Sequence, residues 1–226
     1  MSYFDRYDTT LKRGALLTLA SLALVLAACA PSAAPSSDTT LAALTAPCVS
    51  SPAPTVAIAD FQNTTGSHGT TVVGVEEAAG ARLITMLKES NCYVVVERSE
   101  LLTIMQQQGM ESMDPVALAR AAGAGYVITG TVTRATIAEP GASLFGVSLG
   151  ETRADVEVDV RATDIITGEV VVSMSGSGSA ASPNIEVTRI PRAGRISYDD
   201  PTVGPLLAEA ANGAITEVVA AIRGVF

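Results

Sequence analysis

The sequence holds one histidine and three cysteines in 226 residues, and 14 lysines and arginines against 23 aspartates and glutamates. Each scarcity removes a class of function. A single histidine, His68, excludes a multi-histidine metal site, and no histidine accompanies Cys48 or Cys92 at a ligand spacing. The cationic residues are scattered apart from Arg189, Arg192 and Arg195. Without a basic face to neutralise phosphates, nucleic acid is not an expected partner. Neither Cys48 nor Cys92 sits in a nucleophile signature. Gly123-Ala124-Gly125 and Gly176-Ser177-Gly178 lack the strand-loop-helix setting of a nucleotide loop and read as turns or flexible strand segments. Asp155, Glu157 and Asp159 alternate along one strand, which a solvated face explains. No enzymatic activity and no cofactor are expected.

What is present begins with Lys12 and Arg13, followed by an apolar stretch from Gly14 to Ala28 that closes in Leu26-Ala27-Ala28-Cys29. A basic n-region, an apolar h-region and small residues before a cleavage point make a secretory leader, and the stretch is shorter than the roughly 20 residues of a spanning helix. The closing run resembles the lipobox of bacterial lipoproteins, which implies cleavage before Cys29 and lipid attachment to it. By the same analogy Ala30, in place of Asp, favours the outer membrane over retention in the inner one. Residues 1–28 are therefore read as signal peptide. Their removal, with three basic and two acidic residues, takes the formal charge from −9 to −10.

Residues 29–54 are mostly Ala, Ser, Pro and Thr, too poor in large apolar side chains to pack a core, and read as a lipid-anchored flexible tether. The folded unit is expected over 55–226. Cys48 lies just ahead of the first predicted strand and Cys92 just ahead of the second. If those strands start at the same end of a sheet, the two thiols stand close enough for a disulfide, which an exported location permits; the alternative is two small buried hydrophobes.

Thr55 to Phe61 is a short strand pattern, followed by a polar loop. Val75, Ala79, Leu83, Met86 and Leu87 share one helical face, and Tyr93 to Val96 is an apolar, β-branched run suited to an interior strand. Leu101, Leu102 and Met105 mark a second helix. Asp114-Pro115 opens a third with a capping carboxylate and a proline at the first turn. Two extended segments follow, Tyr126–Ile137 and Asp155–Ile165, the second with Val156, Val158 and Val160 opposite Asp155, Glu157, Asp159 and Arg161. Thr167-Gly168 turns into Glu169–Met174. The last helix carries Leu206, Leu207, Ala210, Ala214, Ile215 and Val218 in one stripe. The order β-α-β-α-α-β-β-β-α predicts an α/β sandwich with a mixed sheet and helices packed over it.

Several segments in this order resemble the CsgG family of curli production assembly and transport lipoproteins, a family that includes holdfast-anchoring relatives. They are Val56-Ala57-Ile58-Ala59-Asp60, Val94-Val95-Val96-Glu97-Arg98, Tyr126-Val127-Ile128-Thr129-Gly130, and Asp155 to Asp164 running into Thr167-Gly168-Glu169-Val170. The resemblance implies a homo-oligomeric ring in the outer membrane, its main domain facing the periplasm, in which each subunit lends two β-hairpin arms to a shared barrel. It also implies a role in exporting or anchoring a surface fibre or adhesin subunit, with accessory envelope proteins as partners. The candidate arms are 131–161 and 172–199, with Leu144, Phe145, Val147 and Leu149 as the membrane-facing cluster. In the second arm, Ile185 and Val187 alternate with Glu186 and Thr188. The family's constriction loop corresponds to Gln62–Gly74, where Asn63 and His68 are the candidate pore-loop groups. The alternative is a periplasmic scaffold lipoprotein without a pore, laid out like activators of peptidoglycan synthases.

Overall fold

The computed structural model describes residues 44–68, 70–109, 114–138, 143–144, 147–148, 151–182 and 194–226. Its main sheet is built from β1 (Thr55–Ile58), β4 (Val94–Val96), β5 (Tyr126–Ala138), β8 (Thr152–Asp164) and β9 (Val170–Ser182). The spatial order is β4-β1-β5-β8-β9, and β2 (Gln62–Asn63) continues alongside β5 beyond the end of β1. β1 runs parallel to both neighbours, whereas β5, β8 and β9 form an antiparallel meander. A second, two-stranded sheet pairs β3 (Thr70–Val73) with β10 (Gly194–Ser197), also in parallel.

Among the described residues, four helices cover the main sheet. α1 (Val75–Glu89) follows Gly74, which takes the left-handed conformation at φ 89°, and buries Val75, Ala79, Leu83 and Leu87 along one stripe. Glu76 and Glu77 in its first turn and Lys88 in its last complement the helix dipole. α2 (Arg98–Gln108) stops at Gly109, again left-handed at φ 64°. α3 (Pro115–Ala121) is capped by the Asp114 carboxylate, which accepts from the Val116 amide at 3.2 Å. α4 (Gly204–Arg223) buries Leu206, Leu207, Ala210, Ala214, Ile215 and Val218. By length and composition α4 could cross a membrane, but here its apolar stripe lies on the sheet.

The helices divide between the two faces of the sheet. α1 and α4 pack on one face, where Ile128, Val132, Val156, Val158 and Val160 form the larger core with them. α2 and α3 cover the other face only near β1, β4 and the start of β5, through Ala57, Val96, Leu101, Leu118 and Val127. Among the described residues, no helix packs on the rest of that face. Across it the register sets Thr131, Asp159 and Ser175 side by side, and likewise Thr136, Asp155 and Ser179.

Three expectations are corrected. The run Val94–Val96 is not an interior strand: it is the edge of the sheet, with Val94 53% exposed, and only Val96 is buried. Its β-branched character comes from Val95 and Val96 packing into different cores. Residues 131–138 and 152–161 are not a free arm, because they are central strands whose apolar face is sealed by α1 over β5 and by α4 over β8; Val156, Val158 and Val160 are each at most 1% exposed. Likewise, 172–182 is strand β9 of the main sheet and 194–197 is β10 beside β3. Among the described residues there is no closed barrel.

Candidate functional site

Four parts of the molecule bear on function: the start of β1, the loop after it, the far end of the sheet where β5 and β9 stop, and a crevice beside the end of β1. At the start of β1, Cys48 and Cys92 are joined, with their α-carbons 5.3 Å apart. The register explains this. Thr55 of β1 faces Val94 of β4 in a parallel pair, so the residues ahead of the two strands emerge side by side. The same end is held further by Leu44, which packs against the core, and by Arg223 of α4, whose guanidinium donates to the Ala46 carbonyl. Tyr93 donates its hydroxyl to the Phe226 carbonyl at 2.7 Å, and Phe226 stacks on Tyr126 with ring centroids 4.3 Å apart. Burial pushes the Tyr93 phenol up to about 12 despite the lowering field of Arg223.

The loop after β1 is organised around Asn63. Its side-chain amide donates to the Val72 carbonyl at 2.7 Å and to the Glu76 carboxylate at 2.6 Å. Its side-chain oxygen accepts from the Thr65 amide at 3.0 Å and the Thr65 hydroxyl at 2.7 Å. An asparagine side chain has two donor hydrogens and one oxygen with two lone pairs, so these four bonds use its capacity. Asn63 is thus the knot that ties the loop to the first turn of α1. His68 closes the 3-10 turn Thr65–His68.

The residues expected to face the membrane sit between β5 and β8. Leu144 belongs to the two-residue strand β6 (Ser143–Leu144) and Val147 to β7 (Val147–Ser148), and the two pair antiparallel with Leu144 opposite Val147. Phe145, Leu149, Ile185, Glu186, Val187, Thr188 and Cys29 lie outside the described residues. The stretch between β5 and β8 and the stretch after β9 leave the same end of the sheet. There Ala138 pairs with Arg153, and Thr152 with Ser182.

Beside the end of β1 the structure reveals a feature the sequence did not suggest. Phe61, 8% exposed, drives its ring against the sheet at Gly130, where any side-chain carbon would overlap the ring. On one side of Phe61 lies a cavity of about 220 Å³ lined by Ile58, Leu101, Leu102, Pro115 and Leu118. On the other lies one of about 350 Å³ lined by Glu76, Glu77, Gly80 and Ile84. Residues 58–61 border both cavities. The available signal was Gly130 itself, a lone glycine inside a β-branched run, which marks a close approach. Among the described residues, no three His, Cys, Asp or Glu side chains gather as a metal site.

This architecture is a mixed-sheet α/β sandwich with a disulfide at one end of the sheet and two connecting stretches leaving the other. The family model described as curli production assembly/transport component CsgG matches residues 39–225, and the chain belongs to that family. No curated protein matches the sequence. Among solved structures, the PelC dodecamer from Paraburkholderia phytofirmans is 17% identical, with a TM-score of 0.43 over 77% of this chain and 91% of that one. The hypothetical protein CT253 from Chlamydia trachomatis is 12% identical, with a TM-score of 0.47 over 76% of this chain and 96% of that one. The LpoB C-terminal domain from Salmonella enterica is 17% identical, with a TM-score of 0.37 over 55% of this chain and 82% of that one. Likeness at this level carries no function across.

Proposed function

We propose that this chain is an envelope lipoprotein, anchored in the outer membrane through Cys29, whose periplasmic domain assembles as a homo-oligomeric ring that exports or anchors surface fibre or adhesin subunits. Family membership over residues 39–225 supports the class. The observation that carries the ring reading is the shared exit of the two connecting stretches at one end of one sheet, next to each other on β5, β8 and β9. Copies arranged about an axis would bring all these stretches to one rim, facing one membrane. The reading involves no catalysis, and the chain acts by position.

A second reading, the tethered scaffold without a pore, is favoured by length. A membrane strand takes about 9 to 11 residues, and the stretch between Ala138 and Thr152 is too short for two of them. A barrel would need the ends of β5 and β8 to contribute, including Ala135 and Ala154, which are now at most 3% exposed.

Electron microscopy of the detergent-extracted full chain separates the two. Closed rings with a central opening, together with conductance in planar bilayers that Phe145→Arg abolishes, are the expected result. A basic side chain on the lipid face costs about 2–4 kcal/mol near the midplane. Monomeric particles without conductance would install the scaffold reading.

A further inference from the structure

At the C-terminal end of β1 the chain changes the face on which it crosses the sheet. It leaves β1 through α1 on one face to reach β4, and returns through α2 and α3 on the opposite face to reach β5. Between parallel strands, such a switch opens a crevice at the carboxyl ends, the usual place for a ligand in open α/β sheets. Here the crevice has two lobes with the residues Asp60 and Phe61 as the ridge between them.

The lobes differ in chemistry. The lobe toward α2 and α3 is walled by Ile58, Leu101, Leu102 and Leu118 and suits an aliphatic side chain. The lobe toward α1 has Ile84 and Gly80 along its wall and two carboxylates from the first turn of α1. Glu76 is engaged by Asn63, while Glu77 is exposed and makes no ion pair among the described residues. A lysine or arginine fits there, its stem along Ile84 and its cation at Glu77. Neither lobe converges several polar groups on one point, as a site for a small polar molecule does.

We propose that this crevice binds an extended peptide segment of a partner protein, one apolar side chain in the α2–α3 lobe and one basic side chain, two residues away, in the α1 lobe. In an extended chain, residues i and i+2 point to the same side, so such a segment straddles the ridge with both side chains directed inward. The site holds whether the chain forms a pore or a scaffold.

The test uses the full chain in detergent micelles and three labelled peptides built from Leu-Ser-Lys, Leu-Ser-Glu and Ser-Ser-Lys repeats, read by fluorescence anisotropy. The expected result is saturable binding of the Leu-Ser-Lys peptide alone, weakened about tenfold by Glu77→Lys and by Leu102→Asp. Glu77→Lys should in turn bind the Leu-Ser-Glu peptide, a gain that misfolding cannot produce. Equal binding of the three peptides, binding no greater than to empty micelles, or unchanged affinity in Glu77→Lys overturns the proposal. Rings scored by electron microscopy in the same samples keep this outcome separate from the assembly reading.

Discussion

Gly178 of β9 lies directly beneath Ala210 of α4, so close that a side-chain carbon on the glycine would overlap the Ala210 carbonyl oxygen and stand 2.7 Å from the Ala214 amide nitrogen. Gly176 meets the Ala214 carbonyl in the same way, and a side-chain carbon on Gly213 of α4 would stand 3.3 Å from the Gly178 α-carbon. Helix and strand therefore touch backbone to backbone. The small residues Ala210, Ala211 and Ala214 on the facing side of α4 are the other half of this fit.

Gly178→Ala should destabilise the domain by about 1–3 kcal/mol, since the helix must lift off the strand to admit one methyl group. Ser173→Ala, on the exposed side of the same strand, should stay within about 0.5 kcal/mol of wild type. Urea denaturation of both variants checks the difference, and equal stabilities would remove the backbone-contact account.

Gly130 and Phe61 should be energetically coupled. Phe61→Ala is expected to cost about 3 kcal/mol through lost burial and the cavity left behind. Gly130→Ala should displace the ring and cost a comparable amount, but little once Phe61 has been truncated. A double-mutant cycle measures the coupling; additive losses would mean that the ring and the glycine act separately.

Reduction of Cys48–Cys92 should lower stability by about 4 kcal/mol, the chain-entropy figure for a closed loop of sequence separation 44. Thiol counting on freshly extracted, denatured, unreduced protein should find neither thiol free. Denaturation with and without reductant then gives the stability difference. Full reactivity of both thiols would refute the pairing in the cell.

The turn between β8 and β9 should weaken in acid. The Asp164 carboxylate accepts from the amides of Thr167 and Ile166, at 2.9 and 2.7 Å, which hold it below the ordinary carboxylate range. A depressed folded-state value means that the stabilisation is complete above the unfolded value of about 3.9 and is lost as pH falls through the lower folded one. Amide exchange at Ile166 and Thr167, corrected for intrinsic rates, should therefore quicken only at the acid end. In Asp164→Asn that pH dependence should vanish.

Much of the fold could be read from local pattern, and the exceptions share a cause. α4 was legible because its stripe is continuous, and β8 because its alternation is unbroken from Ala154 to Ala162. β5 is less regular, since a bulge between Val132 and Arg134 shifts the pleat and moves the next buried position to Ala135. The pairing of β3 with β10 had no local signal, because the two four-residue strands lie far apart in the sequence. Gly176 and Gly178 read as flexible because the reason for them sits on another element, α4. The site divides in the same way. Cys48 and Cys92 were legible as neighbours through the strands they precede, whereas the role of Asn63 depends on Glu76, a helix residue that spacing alone does not bring to it.

The parallel placement of β1 has a further consequence, in the order of events as the chain folds. β5, β8 and β9 pair through successive hairpins, but β1 meets β5 only after a loop containing three helices has closed, with Val56 opposite Tyr126. Loops of that length close late, because their entropy is lost before the contacts form. Folding-rate analysis of Val158→Ala and Ile58→Ala should give a high transition-state value for the first and a low one for the second. The crevice at the end of β1 would then be among the last parts of the molecule to form and, by the same reasoning, among the first to open when the protein is stressed.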